Sequence, residues 1–439
     1  MNTRTPEQPD NTLHFPTWLA RDADFRPPGK RHRPPSSRHP LFESFFFAGF
    51  ECTATTNQHR HWIDQIVATE HDRQVDGDYR RLREAGLLAA REGVRWPLVD
   101  QRGKLDFSSV RPFLEASRRH RIEVIWDLFH YGYPTDLDPF SDEFVNRFAA
   151  YCHAAAKIIG SYSEGRVCYF TPVNEPSFLS WAGGTVGRFA PHLHDRGTEL
   201  KIALIRAAIA GIDAIRAVLP SARMVNADPL CRVVPPLDHV DPHAHAEDFN
   251  HRAVFESWDM LCGRVLPELG GSRRHLDIIG VNYYWTNQWE IGREEQPLHL
   301  DDPRRWSLSR LLRQVWRRYG GEIVVTETSH VGDMRPIWLR TVADECEKLL
   351  DEGMPLRGVC LYPILGMPEW HDPSVWTQMG LWELSPRPGG LMRTPCRAMF
   401  EALREAQRIE RRFAEFRHPR PGSSHAFVEP TGESIEDEP

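Results

Sequence analysis

Short, continuously apolar runs alternate along this chain with longer stretches whose apolar residues recur every three or four positions. The short runs are FFFAGF (45–50), LLAARE (87–92), IEVIWDL (122–128), VCYFTPVN (167–174), ARMVNAD (222–228), LDIIGVNYY (276–284), EIVVTET (322–328) and RGVCLYPI (357–364). Between them, DGDYRRLREAG, SSVRPFLEASRRHR, DEFVNRFAAYCHAAAKIIG, TELKIALIRAAIAGIDAIRAVL and RPIWLRTVADECEKLLDEG have helical spacing. The runs are too apolar to leave one face wet, as parallel strands covered on both faces require. Eight strands separated by helices predict an α/β fold, a single (β/α)8 TIM barrel with enlarged βα loops. A doubly wound open sheet would need a glycine-rich phosphate turn after an early strand, and FAGFECTA lacks the G-x-G-x-x-G pattern.

The ends have a different character. Residues 1–40 hold eight prolines and the basic stretch FRPPGKRHRPPSSRHP, so they read as a disordered arm. Residues 418–439 turn acidic and read as a disordered tail, which leaves 41–417 for the barrel. The 439 residues carry 54 Lys plus Arg against 61 Asp plus Glu, a net charge of −7 that argues against a nucleic-acid partner. The most apolar stretch, IALIRAAIAGIDAIRAVL, is broken by Arg206, Asp213 and Arg216, so no membrane span is expected. The start of the chain lacks the apolar core of a secretion signal, and a cytoplasmic protein is the expectation. Eight scattered cysteines form no C-x-x-C pair. They suggest buried thiols rather than a metal or redox motif, and no metal or cofactor is expected. His59 and His61, and His243 and His245, lack further ligands nearby in the sequence and read as loop histidines.

Barrel chemistry belongs at the C-terminal ends of the strands. Read in order, those ends supply Glu51, Arg91 with Glu92, Asp127 with His130, Asn174 with Glu175, Asp228, Asn282 with Tyr284, Glu327 and Tyr362. The loops TETSHVGD and GMPEWHDPSVW are not phosphate-cradling sequences. Glu175 and Glu327 stand out, because two carboxyl groups flanking one bond are the machinery of glycoside cleavage. Strands four and seven are expected to face each other across the barrel axis.

F-T-P-V-N-E-P resembles the acid/base segment of glycoside hydrolase family 1, the β-glucosidase-like enzymes, and of their wider clan. V-V-T-E-T is similar to the family's nucleophile segment, L-D-I-I-G-V-N-Y-Y to its sixth strand, and G-V-C-L-Y-P-I-L-G-M-P-E-W to its eighth. The resemblance covers most of positions 43 to 385. It implies a retaining glycosidase acting on a β-linked glycoside or oligosaccharide. Glu175 would be the general acid/base and Asn174 a donor to the sugar 2-hydroxyl. Glu327 would be the nucleophile, with Tyr284 hydrogen-bonded to it and Arg91 beside it. Glu369 and Trp370 would hold distal hydroxyls and a ring face.

There are departures from the family pattern. Thr328 replaces the asparagine after the nucleophile. Ile125 stands where a sugar-binding histidine is expected, and His130 offers a substitute. Tyr362 replaces a stacking tryptophan and Gly366 an acidic residue. Glu51, Asn57 and Gln58 are all candidates for a missing glutamine. Trp181 suits either a substrate platform or a barrel cap. Trp285 and Trp289 could line the aglycone side, whereas Trp258 reads as core. A transglycosidase using the same intermediate, and a carbohydrate-binding barrel without catalysis, are the alternative readings. The phosphate clamp of a 6-phospho-glycosidase does not follow Trp370.

Overall fold

The computed structural model describes residues 40–236, 242–293 and 295–410, with the side chains of 242–244 left out. The expected arm, apart from residue 40, and the expected tail fall outside these residues, as does the side chain of His243.

Eight parallel strands close into a barrel: β1 (Phe46–Gly49), β2 (Ala89–Gly93), β3 (Glu123–Asp127), β4 (Tyr169–Thr171), β5 (Arg223–Pro229), β6 (Ile278–Asn282), β7 (Glu322–Thr328) and β8 (Leu356–Leu361). Each strand overlaps one of the apolar runs. Each pairs with its sequence neighbours, and β1 closes the ring on β8. The strands are followed by the helices α1 (His71–Glu84), α2 (Arg111–His120), α3 (Asp142–Tyr162), α4 (Gly197–Val218), α5 (Glu256–Leu261), α6 (Leu308–Tyr319), α7 (Arg335–Asp351) and α8 (Arg397–Ala406). Local signals start some of them. The Ser141 hydroxyl accepts from the Phe144 N–H at 3.2 Å, and Asp142 and Glu143 complement the positive end of α3.

Alternation along the strands sorts the core into two parts. Phe47, Ala89, Ile125, Tyr169, Val225, Ile278, Val324 and Cys360, one from each strand, form an apolar cluster inside the ring with Phe42 and Tyr362. The opposite faces join the helices in the larger outer core. Ile125 is therefore a fully buried plug residue of this inner apolar cluster. Two positions further along, the inward residues of β2 and β3 are Arg91 and Asp127, both fully buried. The apolar plug thus supports a charged layer at the C-terminal end of the barrel. Strands β4 and β7 are separated by β5 and β6, so they are not diametrically opposed as expected; side chains from β6 span the gap. Among the described residues, no helix is long and apolar enough to cross a membrane.

Candidate active site

Arg91 is the hub. Its Nη1 donates to Glu327 Oε1 at 2.5 Å, and its Nη2 donates to Asp127 Oδ2 at 2.6 Å and to Asn174 Oδ1 at 2.5 Å. Burial alone would weaken the guanidinium's charge, but Asp127 and Glu327 hold it ionised. Carboxylates this deep are tolerable only when paired in this way.

Glu327 reaches its place through an irregularity. Val281 pairs with Val325, but Asn282 pairs with Glu327, so β7 carries an extra residue at Thr326. Such bulges re-aim a side chain at the rim of a barrel. Tyr284 then donates to Glu327 Oε2 at 2.8 Å. Burial raises the Glu327 carboxyl above its ordinary value, and Arg91 and His130 offset part of that rise.

Glu175 is set differently. It has φ 47°, a left-handed conformation just ahead of the short helix Pro176–Leu179, and its N–H donates to Ala227 O at 2.9 Å. A non-glycine residue there stores about 1–3 kcal/mol of strain, which the surrounding fold must hold. The Asn282 amide donates to Glu175 Oε1 at 2.9 Å. That amide is oriented by Thr326, whose hydroxyl donates to Asn282 Oδ1 at 2.6 Å. Tyr131 donates to Glu175 Oε2. Burial first, and then the nearby Glu327 charge, push Glu175 up to about 8 against these two hydrogen bonds. Asp228, at the end of β5, is raised to about 6 by burial and accepts from Ser177 and Ser257.

The rest of the rim surrounds this pair. His130 Nδ1 meets Asp127 Oδ2 at 2.9 Å, and its ring lies parallel to Tyr362 with centroids 6.1 Å apart. Tyr362 also lies under Arg91, 5.3 Å from the guanidinium carbon. Trp370 packs with Tyr131, Phe178 and Phe189 as an aromatic wall. One Glu369 carboxylate oxygen accepts from the N–H groups of His371 and Asp372, at 2.6 and 2.7 Å, and so braces its own turn. Of the three glutamine substitutes, Glu51 stands 3.8 Å from His130 Nε2, and Asn57 donates its amide to Trp370 O at 2.9 Å. Asn57 holds the backbones of His59 and His61, and Gln58 contacts the His59 ring.

The hydrogen-bonded network therefore brings together Arg91, Asp127, His130, Asn174, Glu175, Asn282, Tyr284 and Glu327, with Tyr362 and Trp370 against it. Sequence pattern did not point to Tyr131 or Thr326. Tyr131 lies four residues past the end of β3, and only its adjacency to His130 hinted at it. Trp181 is 39% exposed beneath Arg188. Trp285 stacks on His330 at 4.4 Å, and Trp289 packs on Phe249. Trp258 is core, with its indole N–H donated to Asn226 O.

This barrel resembles solved β-glucosidases. The Thermotoga maritima β-glucosidase in complex with glucoimidazole superposes with a TM-score of 0.67 at 14% identity, over 84% of this chain and 100% of that one. The chain folds as a β-glucosidase-like barrel. The AHE enzyme of Alicyclobacillus herbarius gives a TM-score of 0.66 at 17% identity, over 84% of this chain and 97% of that one. In sequence, the barrel is 21% identical over 386 residues to the aryl-phospho-β-D-glucosidase BglC of Bacillus subtilis, covering 69% of this chain and 79% of that protein. No family model matches the chain.

Proposed function

We propose that this protein is a retaining β-glycosidase acting on unphosphorylated glycosides. The observation that carries the proposal is the unequal setting of two buried carboxyl groups at one rim. Glu327 has a guanidinium in contact, which works against the rise that burial causes. Glu175 is bonded to an amide and a phenol rather than to a cation, and keeps its proton up to about 8. The first is suited to attack and the second to protonate a leaving oxygen.

In the first step Glu327 forms a bond to the anomeric carbon as the glycosidic C–O bond breaks, and Glu175 passes its proton to the departing oxygen. The ester formed at Glu327 is neutral. The charge that helped to raise Glu175 is then gone, so Glu175 becomes a stronger acid and its conjugate base can take a proton from water. Water attacks the anomeric carbon, the ester bond breaks, and both carboxyl groups return to their starting states. A separation of about 5–5.5 Å between the two is the spacing this route requires.

The preference for a substrate without phosphate follows from charge. Arg91, the guanidinium at the centre of the network, is already engaged by Glu327 and Asp127, and residues 369–380 contain no lysine or arginine. The Bacillus relative is named for a phosphorylated substrate, but these residues do not offer a phosphate its counter-charge. A panel of aryl β-glycosides, with and without 6-phosphate, assayed on wild type and Glu175→Ala tests the reading. Turnover of the unphosphorylated substrates, with azide restoring the variant on those bearing good leaving groups, is expected. Silence of wild type across the panel would refute it.

A further inference from the structure

Five side chains from four sectors of the rim form a line of alternating charge. Glu51 stands 3.8 Å from His130, His130 2.9 Å from Asp127, Asp127 2.6 Å from Arg91, and Arg91 2.5 Å from Glu327. His130 and Glu51 are each more than nine-tenths buried. Cys52 Sγ, an Asp127 oxygen and a His130 nitrogen also lie within 4.8 Å of one another, but the Arg91 guanidinium already supplies the positive charge facing Asp127. This line contains a competition. Asp127 and Glu327 accept from the two ends of one guanidinium, so the Asp127 charge opposes the ionisation of Glu327, and a cation beside Asp127 offsets that opposition.

We propose that His130 is a positioning residue whose charge, held by Asp127, favours the ionised form of Glu327. The groups facing His130 are Glu51 and Cys52 after β1, Asp127 and Tyr131 from the β3 end, Asn174 from β4 and Tyr362 from β8. Burial pushes Cys52 up to about 11, so it faces the imidazole as a neutral thiol. The Asn174 amide nitrogen lies 3.4 Å from His130 Nε2 and also donates to the Tyr131 hydroxyl at 3.3 Å. Burial works against a charge on the ring and Asp127 favours it, while Glu51 Oε1 stands 3.8 Å from its Nε2. Glu327 in turn feels Arg91 and His130 as cations and Glu51 as an anion. The two ends of the line should therefore act on Glu327 with opposite sign. Loss of the His130 charge raises its ionisation midpoint, and loss of the Glu51 charge lowers it.

The test is a titration of the full chain labelled with ¹³Cδ-glutamate. The Glu327 resonance is assigned by its loss in Glu327→Gln and followed in wild type, His130→Gln and Glu51→Gln, with near-ultraviolet circular dichroism confirming each fold. The expected result is an upward shift of about one pH unit, a tenfold change, in His130→Gln and a downward shift in Glu51→Gln. An unmoved midpoint in both variants, or shifts of the same sign, would overturn the proposal. The acid limb of kcat/KM on an aryl β-glycoside should follow the same shifts. That arm rests on the glycosidase reading, and the titration does not, so a wild type without turnover would leave the outcome of the titration standing.

Discussion

Tyr131 and Glu175 meet hydroxyl to carboxylate, and both are held with positive φ, at 65° and 47°. Two non-glycine residues in the left-handed region, joined through their side chains, form a strained contact that the fold must maintain from both sides. The contact also opposes the main effect of the site. A donor to Oε2 favours the anion, yet Glu175 is still raised to about 8, so Tyr131 limits how far burial carries it.

Tyr131→Phe removes that donor and leaves the ring in its aromatic wall. With the anion less stabilised, Glu175 holds its proton to higher pH, and the basic limb of kcat/KM moves in the alkaline direction. A pH profile on an aryl β-glycoside measures this; a limb that moves towards acid contradicts the assigned direction.

Much of this was legible in the chain. The eight strands fall in the apolar runs because both faces of each strand are buried, and Arg91, Asp127, Asn174, Glu175, Asn282 and Glu327 follow from the rule that barrel chemistry sits at strand ends. Other features depend on backbone geometry that pattern does not reveal. The extra residue in β7, which pairs Glu327 rather than Thr326 with Asn282, leaves no mark in EIVVTET. The turn that delivers Tyr131 is fixed by tertiary contacts beyond the end of β3. Glu369, which the resemblance implies as a sugar ligand, also braces the turn formed by the residues that follow it. Ile125, read as a departure, lies in the apolar plug, whose layer sits beneath the charged one.

Arg91→Met tests the hub. It leaves Asp127 and Glu327 buried without their shared cation, and breaking such a group costs about 3–5 kcal/mol. Urea denaturation at neutral pH should show a loss of that size, and a variant as stable as wild type would contradict the role given to the guanidinium.

Gly49 makes room for Tyr362, since a Cβ there would lie 2.1 Å from the ring's Cδ2. Gly49→Ala should therefore destabilise by about 1–3 kcal/mol through overpacking. Thermal unfolding of the single variant and of Gly49→Ala combined with Tyr362→Ala measures the coupling. The second change should recover part of the loss caused by the first, and strict additivity would argue against the clash.

His71 lies outside the rim, enclosed between Asp78 at 2.8 Å and Glu92 at 2.9 Å with Phe50 stacked on its ring. Burial works against its charge, but Glu92 and Asp78 outweigh it and raise the imidazole to about 9. The folded value lies above the unfolded one, so its contribution is complete below the unfolded value of 6.5 and is lost as pH rises through 9. Unfolding free energy should fall over that window by an amount on the order of 3 kcal/mol. His71→Gln should flatten the profile there; an equally steep fall in the variant would assign the effect elsewhere.

Trapping of the covalent intermediate tests the two-carboxylate mechanism most directly. Wild type incubated with an activated 2-deoxy-2-fluoro-β-glycoside, digested and mapped by mass spectrometry, should carry one glycosyl group, on the peptide containing Glu327, and lose activity in step with its formation. Inactivation with the label on another residue, or turnover of ordinary substrates with no adduct at Glu327, would contradict it.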